Sequence, residues 1–278
     1  MKIENSKTTR CLVSLFAFMA GAAAYSGQVT ADDSDLANQL VNPIADLISM
    51  PIKLDWDTNI GKADADRSTY TVQPVIPIGL NDEWNIISRT ITPVYIDAES
   101  PVKGGGDDTG MGDILQSFFF SPKAPTSSGW VWGVGPALSL PTGDDGLTSD
   151  KFSIGPTAVV LRQADGWTYG ALTNQLWSIS GDDDAEDVSS FFLQPFLAFT
   201  TKTATTFVLN TESSYDWKDN DWTVPINATV SQLVRIGKQP VQFQVGYRHY
   251  AESPDDTFDW GLRLQVTFLF PKKEPAKK

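Results

Sequence analysis

The chain has 278 residues, a formal net charge of −13 and a mean hydropathy of −0.18. Its length suits one large domain or two ordinary ones, and its negative charge excludes binding to nucleic acid through the phosphates. After residue 30 no stretch has the run of about 18 apolar residues that a spanning helix needs, which excludes a bundle of membrane helices. A water-soluble protein remains possible, as does a membrane protein in which apolar and polar residues alternate.

Residues 1–31 have the three-part pattern of a secretory signal peptide. A basic start is followed by an apolar run over residues 11–24 and then by small residues. Cleavage after Ala24 or after Ala31 fits the pattern, and we favour Ala31. The alternative is a single anchoring helix, but the apolar run is too short to span a bilayer and no basic stop follows it.

Removal of this segment makes the mature chain more acidic and takes away its only thiol. Loss of Lys2, Lys7, Arg10 and Glu4 moves the formal net charge from −13 to −15, because three positive charges and one negative charge disappear. Cys11 is the only cysteine. We therefore expect neither disulfide bonds nor cysteine chemistry in the mature protein.

A short amphipathic helix is predicted over residues 32–49. Apolar residues recur there at helical spacing, and Pro43 is expected to interrupt or restart the helix. The helix should either cap the mouth of the domain that follows or fill its interior. Its apolar residues are Leu36, Leu40, Ile44, Leu47 and Ile48.

From residue 50 onward apolar and polar residues alternate with the period of a β-strand. The last segment is the clearest example, because Leu262, Leu264 and Val266 alternate there with polar residues. Each predicted strand is at least about nine residues long, which is enough for a tilted strand to cross a bilayer. The twelve predicted strands lie near residues 52–60, 69–79, 84–97, 111–121, 129–140, 151–163, 166–180, 188–200, 204–217, 222–235, 240–251 and 257–270.

The connections between these strands alternate in length and charge. Those after odd-numbered strands are acidic, whereas those after even-numbered strands, such as 164–166 and 237–239, are mostly shorter and nearly neutral or basic. Outer-membrane barrels have short turns at one end and longer loops at the other, so we expect the acidic end to face outward. A soluble β-sandwich is the alternative, but it has no reason to separate loop charge in this way.

The predicted fold is therefore all-β: a closed antiparallel transmembrane β-barrel of about twelve strands over residues 50–271. A loose basic tail is expected at 272–278. Rings near the ends of the strands are expected to form girdles at the two membrane interfaces. These aromatic residues are Trp130, Trp132, Trp167, Trp177, Tyr215, Trp217, Trp222 and Trp260.

Charged residues on the polar faces of the strands are expected to point into the lumen, because a charge that faces lipid is costly. If Trp217 pairs with Trp222 across their loop, Glu212 lies opposite Asn227, and the same level continues to Arg248 and Asp259. These groups either pair and seal the lumen or line a narrow solute path. The residues predicted to line the lumen are Arg89, Asp113, Glu212, Asn227, Arg248, Asp259 and Arg263.

The sequence carries no strong catalytic, cofactor or metal signature. His249, the only histidine, cannot supply a metal cluster, and no glycine-rich phosphate loop or nucleophile elbow occurs. An outer-membrane phospholipase needs a serine within hydrogen-bond reach of a lipid-facing histidine. Loop-centred pairing places His249 beside Ile226 and Asp259, where neither strand offers a serine. We expect no enzymatic activity and interpret His249 as an interfacial residue.

Ten short motifs occur in order along nearly the whole mature chain. They are NPIA at 42–45, QPVIP at 73–77, SRT at 88–90, GDI at 112–114, FFSP at 119–122, GVGP at 133–136, GP at 155–156, NQLWS at 174–178, QP at 194–195 and FP at 270–271. Together they resemble the outer-membrane transporter family named for the meta-pathway of phenol degradation, some members of which carry the label neuromedin U. The resemblance implies an outer-membrane barrel that is a channel for small, often aromatic or hydrophobic compounds.

We therefore expect an outer-membrane protein that acts as a passive channel for small solutes. Its expected partners are outer-membrane lipid, the solute, and the barrel-assembly machinery, which would bind the C-terminal strand. The alternative from another class is a non-conducting structural or adhesive surface protein whose acidic loops bind cations or bridge lipopolysaccharide. Repetitive or much longer external loops would favour that alternative.

Overall fold

The computed structural model of the protein describes residues 31–100, 106–145, 147–254 and 258–271. The predicted signal peptide, except Ala31, and the predicted tail at 272–278 lie outside the described residues. In the part of the chain that is described, no helix has both the length and the hydrophobicity to cross a membrane.

The described chain consists of one α-helix, a short 3-10 turn at Gly61–Ala63 and fifteen β-segments of a single sheet. The helix is α1 (Ala31–Val41). The segments are β1 (Ile48–Ile60), β2 (Ala65–Val72), β3 (Val75–Gly79), β4 (Trp84–Ala98), β5 (Asp108–Gly110), β6 (Ile114–Pro122), β7 (Trp130–Leu140), β8 (Lys151–Ala164), β9 (Trp167–Gly181), β10 (Ser189–Thr200), β11 (Thr205–Thr211), β12 (Ser213–Asp216), β13 (Asp221–Ile236), β14 (Gln239–Glu252) and β15 (Trp260–Phe270).

These segments form the twelve strands of a closed antiparallel barrel, which confirms the predicted fold. Three strands are interrupted, so that β2 and β3, β5 and β6, and β11 and β12 each make up one strand. The barrel closes where β1 pairs with β15, from Ile48 opposite Phe270 to Thr58 opposite Trp260. Among the described strands closure leaves no open sheet edge, as a membrane-spanning sheet requires.

Two of the interruptions coincide with prolines, which lack the N–H that a sheet ladder needs. Between β2 and β3 the chain passes through Pro74, whose carbonyl oxygen still accepts a hydrogen bond from Thr90 N at 3.1 Å. Between β11 and β12, Glu212 lies opposite Pro225 and donates its N–H to the Pro225 carbonyl at 3.4 Å. Both breaks lie beside inward-facing side chains of the candidate site.

The exterior of the barrel is apolar and is bordered by aromatic rings. Large hydrophobic side chains on the outward face, such as Ile78, Phe207 and Leu209, are half exposed or more. A soluble monomer rarely shows so extensive an apolar surface. We call the end of the barrel with the longer, acidic loops the loop end, and the end with the short connections the turn end. Aromatic rings cluster at both ends. One pair at the loop end is Tyr215 and Trp222, whose ring centroids are 4.9 Å apart.

The N-terminal helix ends at Val41, short of the predicted end at residue 49. Pro43 disfavours helical geometry at the preceding residue, and the Asn42 side chain accepts a hydrogen bond from Ile44 N at 3.0 Å, which turns the chain. The first strand consequently begins at Ile48, earlier than the predicted residue 52.

Helix α1 packs on the turn end of the barrel. Ala37 is fully buried in a cluster with Leu233 and Leu269, and Asp33 Oδ1 pairs with Arg235 Nε at 2.6 Å. The segment after the helix enters the lumen, where Ile44 packs in an apolar cluster of the barrel wall. The N-terminal region therefore both caps one mouth and fills part of the interior.

Candidate functional site: the lumenal cavity

A cavity of about 210 Å³ lies inside the barrel, between the N-terminal segment and the wall. We call it the lumenal cavity. Residues 39–47 supply one side of it, and inward-facing residues of the strands supply the rest. Its wall includes Lys53, Arg89, Phe196, Glu212 and Arg263.

The interior beside this cavity is divided into an apolar and a charged part. On one side Ile44 and Val75 belong to a buried cluster against which Phe196 packs. On the other side six charged residues of β1, β14, β15 and the β11–β12 break lie together, and we call them the lumenal charge cluster. They are Lys53, Asp55, Asp57, Glu212, Arg248 and Arg263. The lumenal cavity is therefore amphipathic.

Strand geometry explains why the charges of β1 point inward. Side chains alternate across a strand, so Lys53, Asp55 and Asp57 share one face of β1. Asp55 and Asp57 are each only 6% exposed. Buried carboxylates need charged partners or several hydrogen bonds. Arginines of the last two strands supply charged hydrogen-bond donors to Asp55 and Asp57.

Arg263 joins two carboxylates from opposite sides. Its Nε and Nη2 donate to the two oxygens of Asp55 at 2.6 and 3.2 Å. Its Nη1 and Nη2 donate to the two oxygens of Glu212 at 2.8 and 2.7 Å. The planar guanidinium suits such forked contacts, which fix geometry as well as contribute energy.

Arg248 completes the cluster towards the loop end. Its Nε donates to Asn227 Oδ1 at 2.9 Å, its Nη2 donates to Glu212 Oε2 at 3.0 Å, and its Nη1 approaches Asp57 Oδ1 at 3.3 Å. Asn227 in turn donates to Asn210 Oδ1 at 2.9 Å. All three nitrogens of this buried guanidinium thus meet a polar partner.

Arg89 lies on the same cavity but outside the lumenal charge cluster. With the Gln73 amide turned so that its oxygen faces Arg89, Nε and Nη2 of Arg89 donate to that oxygen at 3.1 and 3.2 Å. Val75 is the register partner of Arg89 on β3, so both side chains face the lumen. Gln73 and Pro74 form the break between β2 and β3, so the residue that contacts Arg89 lies where the strand is interrupted.

Of the seven residues predicted to line the lumen, three line this cavity, namely Arg89, Glu212 and Arg263. Asn227 and Arg248 lie beside it through the contact of Arg248 with Glu212, and Asp113 and Asp259 lie away from it. Asp113 accepts hydrogen bonds from Thr142 N at 3.1 Å and from Ser149 Oγ at 3.1 Å, and so organises a connection at the loop end. Asp259 is exposed at the loop end and accepts a hydrogen bond from Asn59 Nδ2 at 3.3 Å. The break before β6 turns Asp113 towards the loop, and the last strand begins only after Asp259.

The predicted pairing across the loop before β13 was wrong by two residues. Tyr215, not Trp217, pairs with Trp222, and Asn210, not Glu212, lies opposite Asn227. The hairpin closes earlier because Asp216 Oδ1 accepts a hydrogen bond from Lys218 N at 2.8 Å and so starts the turn. Glu212 still faces the lumen because a shift of two residues preserves the face.

The sequence reasoning missed Lys53, Asp55 and Asp57. The signal that could have found them is the alternation in the first strand, whose polar residues occupy the odd-numbered positions. Alternation did not predict their partners, because these arginines lie at the other end of the chain and meet β1 only where the last strand closes on the first. In the structure Asp55 is the register partner of Arg263, and Asp57 is the register partner of Gly261.

His249 faces outward among apolar neighbours. Its register partners are Ile226 on β13 and Trp260 on β15, the second in place of the predicted Asp259. Neither register partner is a serine. Across the described ranges, no group of three or more His, Cys, Asp or Glu side chains is placed to hold a metal ion.

The barrel is similar to solved outer-membrane proteins of low sequence identity. An outer membrane channel from Pseudomonas putida F1 aligns with a TM-score of 0.64 and 14% identity, over 81% of this chain and 95% of that chain. Outer membrane phospholipase A from Escherichia coli aligns with a TM-score of 0.45 and 11% identity, over 86% and 98%. The Pseudomonas putida toluene transporter gives 0.40 and 11%, over 84% and 93%.

No protein-family model matches the sequence, and no curated protein matches it. At 14% identity the likeness to the channel of Pseudomonas putida F1 concerns the fold, and it supports the closed barrel.

Proposed function

We propose that this chain is an outer-membrane channel that gives small, hydrophobic solutes a passive path through its barrel. We also propose that it belongs to the transporter family that its ten motifs resemble. The observation that carries the proposal is the amphipathic lumenal cavity inside a closed barrel. Apolar side chains such as Phe196 offer a surface to the body of a solute, and polar groups keep the same space hydrated.

The apolar exterior supports the location. Half-exposed Phe207 and Leu209 would be costly in water and are suited to lipid. The acidic loop end is assigned to the outside and the turn end, with helix α1, to the periplasm. The C-terminal strand, which closes the barrel against β1, is assigned as the segment that the barrel-assembly machinery binds. No catalytic step or cofactor is part of this function.

Liposome swelling tests the channel directly. The purified protein is reconstituted, and swelling rates are measured in a panel of neutral, acidic and aromatic solutes of similar size. We expect the protein to raise the permeation rate of small aromatic solutes, relative to protein-free liposomes, more than that of sugars of similar size. Equal rates for protein-containing and protein-free liposomes with every solute would contradict the channel.

The alternative, a non-conducting surface protein, is favoured by one observation. Ile44 and Leu47 of the N-terminal segment are buried inside the barrel or at its mouth, so that part of the lumen is filled. A variant that lacks residues 32–46 separates the two functions. If the protein is a channel, the full mature chain conducts and the shortened variant conducts more. If it is a structural barrel, only the shortened variant conducts.

A further inference from the structure

The lumenal charge cluster is neutral as a unit. Lys53, Arg248 and Arg263 contribute three positive charges, and Asp55, Asp57 and Glu212 contribute three negative charges. Each carboxylate of the cluster lies within 3.3 Å of a cationic partner. The cluster therefore presents little net charge to a solute in the cavity.

Arg89 adds one positive charge to the same space, where Glu212 attracts it without forming a salt bridge. Among the described residues, no carboxylate lies within 4.0 Å of its guanidinium. Glu212, which lines the same cavity, already accepts hydrogen bonds from both Arg248 and Arg263. A cation in a partly desolvated lumen is stabilised by an anion or by water, because isolated charges are costly to desolvate.

The geometry of Arg89 leaves its outer edge for a ligand. Gln73 takes the Nε side of the guanidinium, through Nε and Nη2. In the described structure Nη1 donates to no protein acceptor. A carboxylate binds well to two parallel N–H groups of an arginine, so the Nη1–Nη2 edge offers a forked site for one.

The apolar wall lies beside this edge. Val75, the register partner of Arg89, is buried, and Phe196 lines the same cavity. Cavities of about 150 Å³ in proteins hold benzene, so a volume of about 210 Å³ accommodates one ring with an acid group.

We propose that Arg89, held by Gln73, forms an anion-binding subsite of the lumenal cavity, and that it selects small amphipathic carboxylates. The acid group pairs with the guanidinium, and the apolar body lies against Val75 and Phe196. This inference rests on the proposed channel function and names its preferred class of solute.

Benzoate and benzamide test the subsite, because they share a ring and a similar size but differ in charge. Binding to the full mature protein in detergent is measured by titration calorimetry for the wild type and for Arg89→Gln. We expect the wild type to prefer benzoate, and Arg89→Gln to weaken benzoate binding by about tenfold or more with benzamide unchanged. Arg89→Lys keeps the charge without the fork and should lie between the two.

Arg162→Gln is the matched control, because Arg162 lies near the end of β8 at the turn end, away from the cavity. An equal loss of benzoate binding in this variant would overturn the subsite, as would an unchanged preference in Arg89→Gln. If Arg89→Gln does not assemble, the wild-type preference decides by itself: equal binding of the two compounds overturns the proposal.

Swelling rates distinguish this inference from the channel itself. If benzoate binds through Arg89 but no solute enters protein-containing liposomes faster than protein-free ones, the subsite stands and the channel function fails. If benzamide and benzoate enter equally and both ignore Arg89→Gln, the channel stands and the subsite fails.

Discussion

Arg263 and Asp55 are register partners across the seam at which the last strand closes on the first, and a forked salt bridge joins them at 2.6 and 3.2 Å. Both side chains are less than a tenth exposed. The seam joins the two ends of the barrel sequence, so this contact stabilises the step that makes the barrel closed. It also fixes the register of β1, because a slip of one residue would turn Asp55 towards lipid.

Arg263→Ala should therefore destabilise the folded barrel. The substitution leaves Asp55 with only the Lys53 ammonium at 3.1 Å and the more distant Arg248, and it removes two hydrogen bonds from Glu212. Removal of one partner from a buried ion pair costs about 3–5 kcal/mol. The folded and the heat-denatured protein should migrate differently in detergent gels. We expect the temperature at which the folded band disappears to fall in Arg263→Ala.

Lys202→Ala is the control for this measurement, because Lys202 is exposed in a short turn and its loss should leave the conversion temperature unchanged. An Arg263→Ala barrel that converts at the wild-type temperature would show that the seam pair contributes little.

Alternation along the strands predicts much of this fold, because apolar and polar faces alternate wherever one face meets lipid. The same pattern indicates that Arg248 and Arg263 face inward. Alternation does not predict which inward residues meet, since that depends on hairpin register and on closure. The error of two residues at Glu212 arose from the turn at Asp216, whose side-chain hydrogen bond was not apparent from the pattern.

The last strand should be essential for assembly. Phe268 faces outward and is paired with Met50 on β1 and Val241 on β14. Phe268→Asp would place a carboxylate on the apolar exterior, and deletion of residues 262–270 would leave β1 and β14 each with one open edge. We expect the deletion to abolish assembly and Phe268→Asp to reduce it strongly, as measured by heat-modifiable protein in the outer-membrane fraction.

Thr109→Asp, at the exposed loop end of β5, is the control because it adds the same charge outside the apolar belt. Normal membrane assembly of the deletion variant would contradict the closure of the barrel by β15.

Arg248→Ala should change the ion selectivity of the channel. The substitution removes hydrogen bonds of 3.0 Å to Glu212 and 3.3 Å to Asp57, and Arg248 is the cation paired with Asp57. The sum of the cluster moves from neutral to one negative charge, and rings of charged side chains set selectivity in pores. Reversal potentials in a salt gradient across a planar bilayer should shift towards cation preference.

The same substitution should cost stability, because Arg248 is only 7% exposed and contacts three strands besides its own. Arg162→Ala removes a positive charge outside the cluster and controls for net charge. A wild-type reversal potential in Arg248→Ala would mean that the cluster does not border the ion path.

The N-terminal helix should restrict conductance through its contact with the turn end. Arg235→Gln removes a charged contact of Asp33, which is 2% exposed and pairs with Arg235 Nε at 2.6 Å. Loss of a cationic contact makes a buried carboxylate more costly to keep out of water, so helix α1 should detach more often and withdraw Ile44 from the lumen. Single-channel recordings should show a larger mean conductance or more frequent openings than the wild type.

Asp33→Asn in the same background should reverse part of the effect, because it removes the charge that drives release. Identical recordings for the wild type and Arg235→Gln would show that this ion pair does not hold the helix in place.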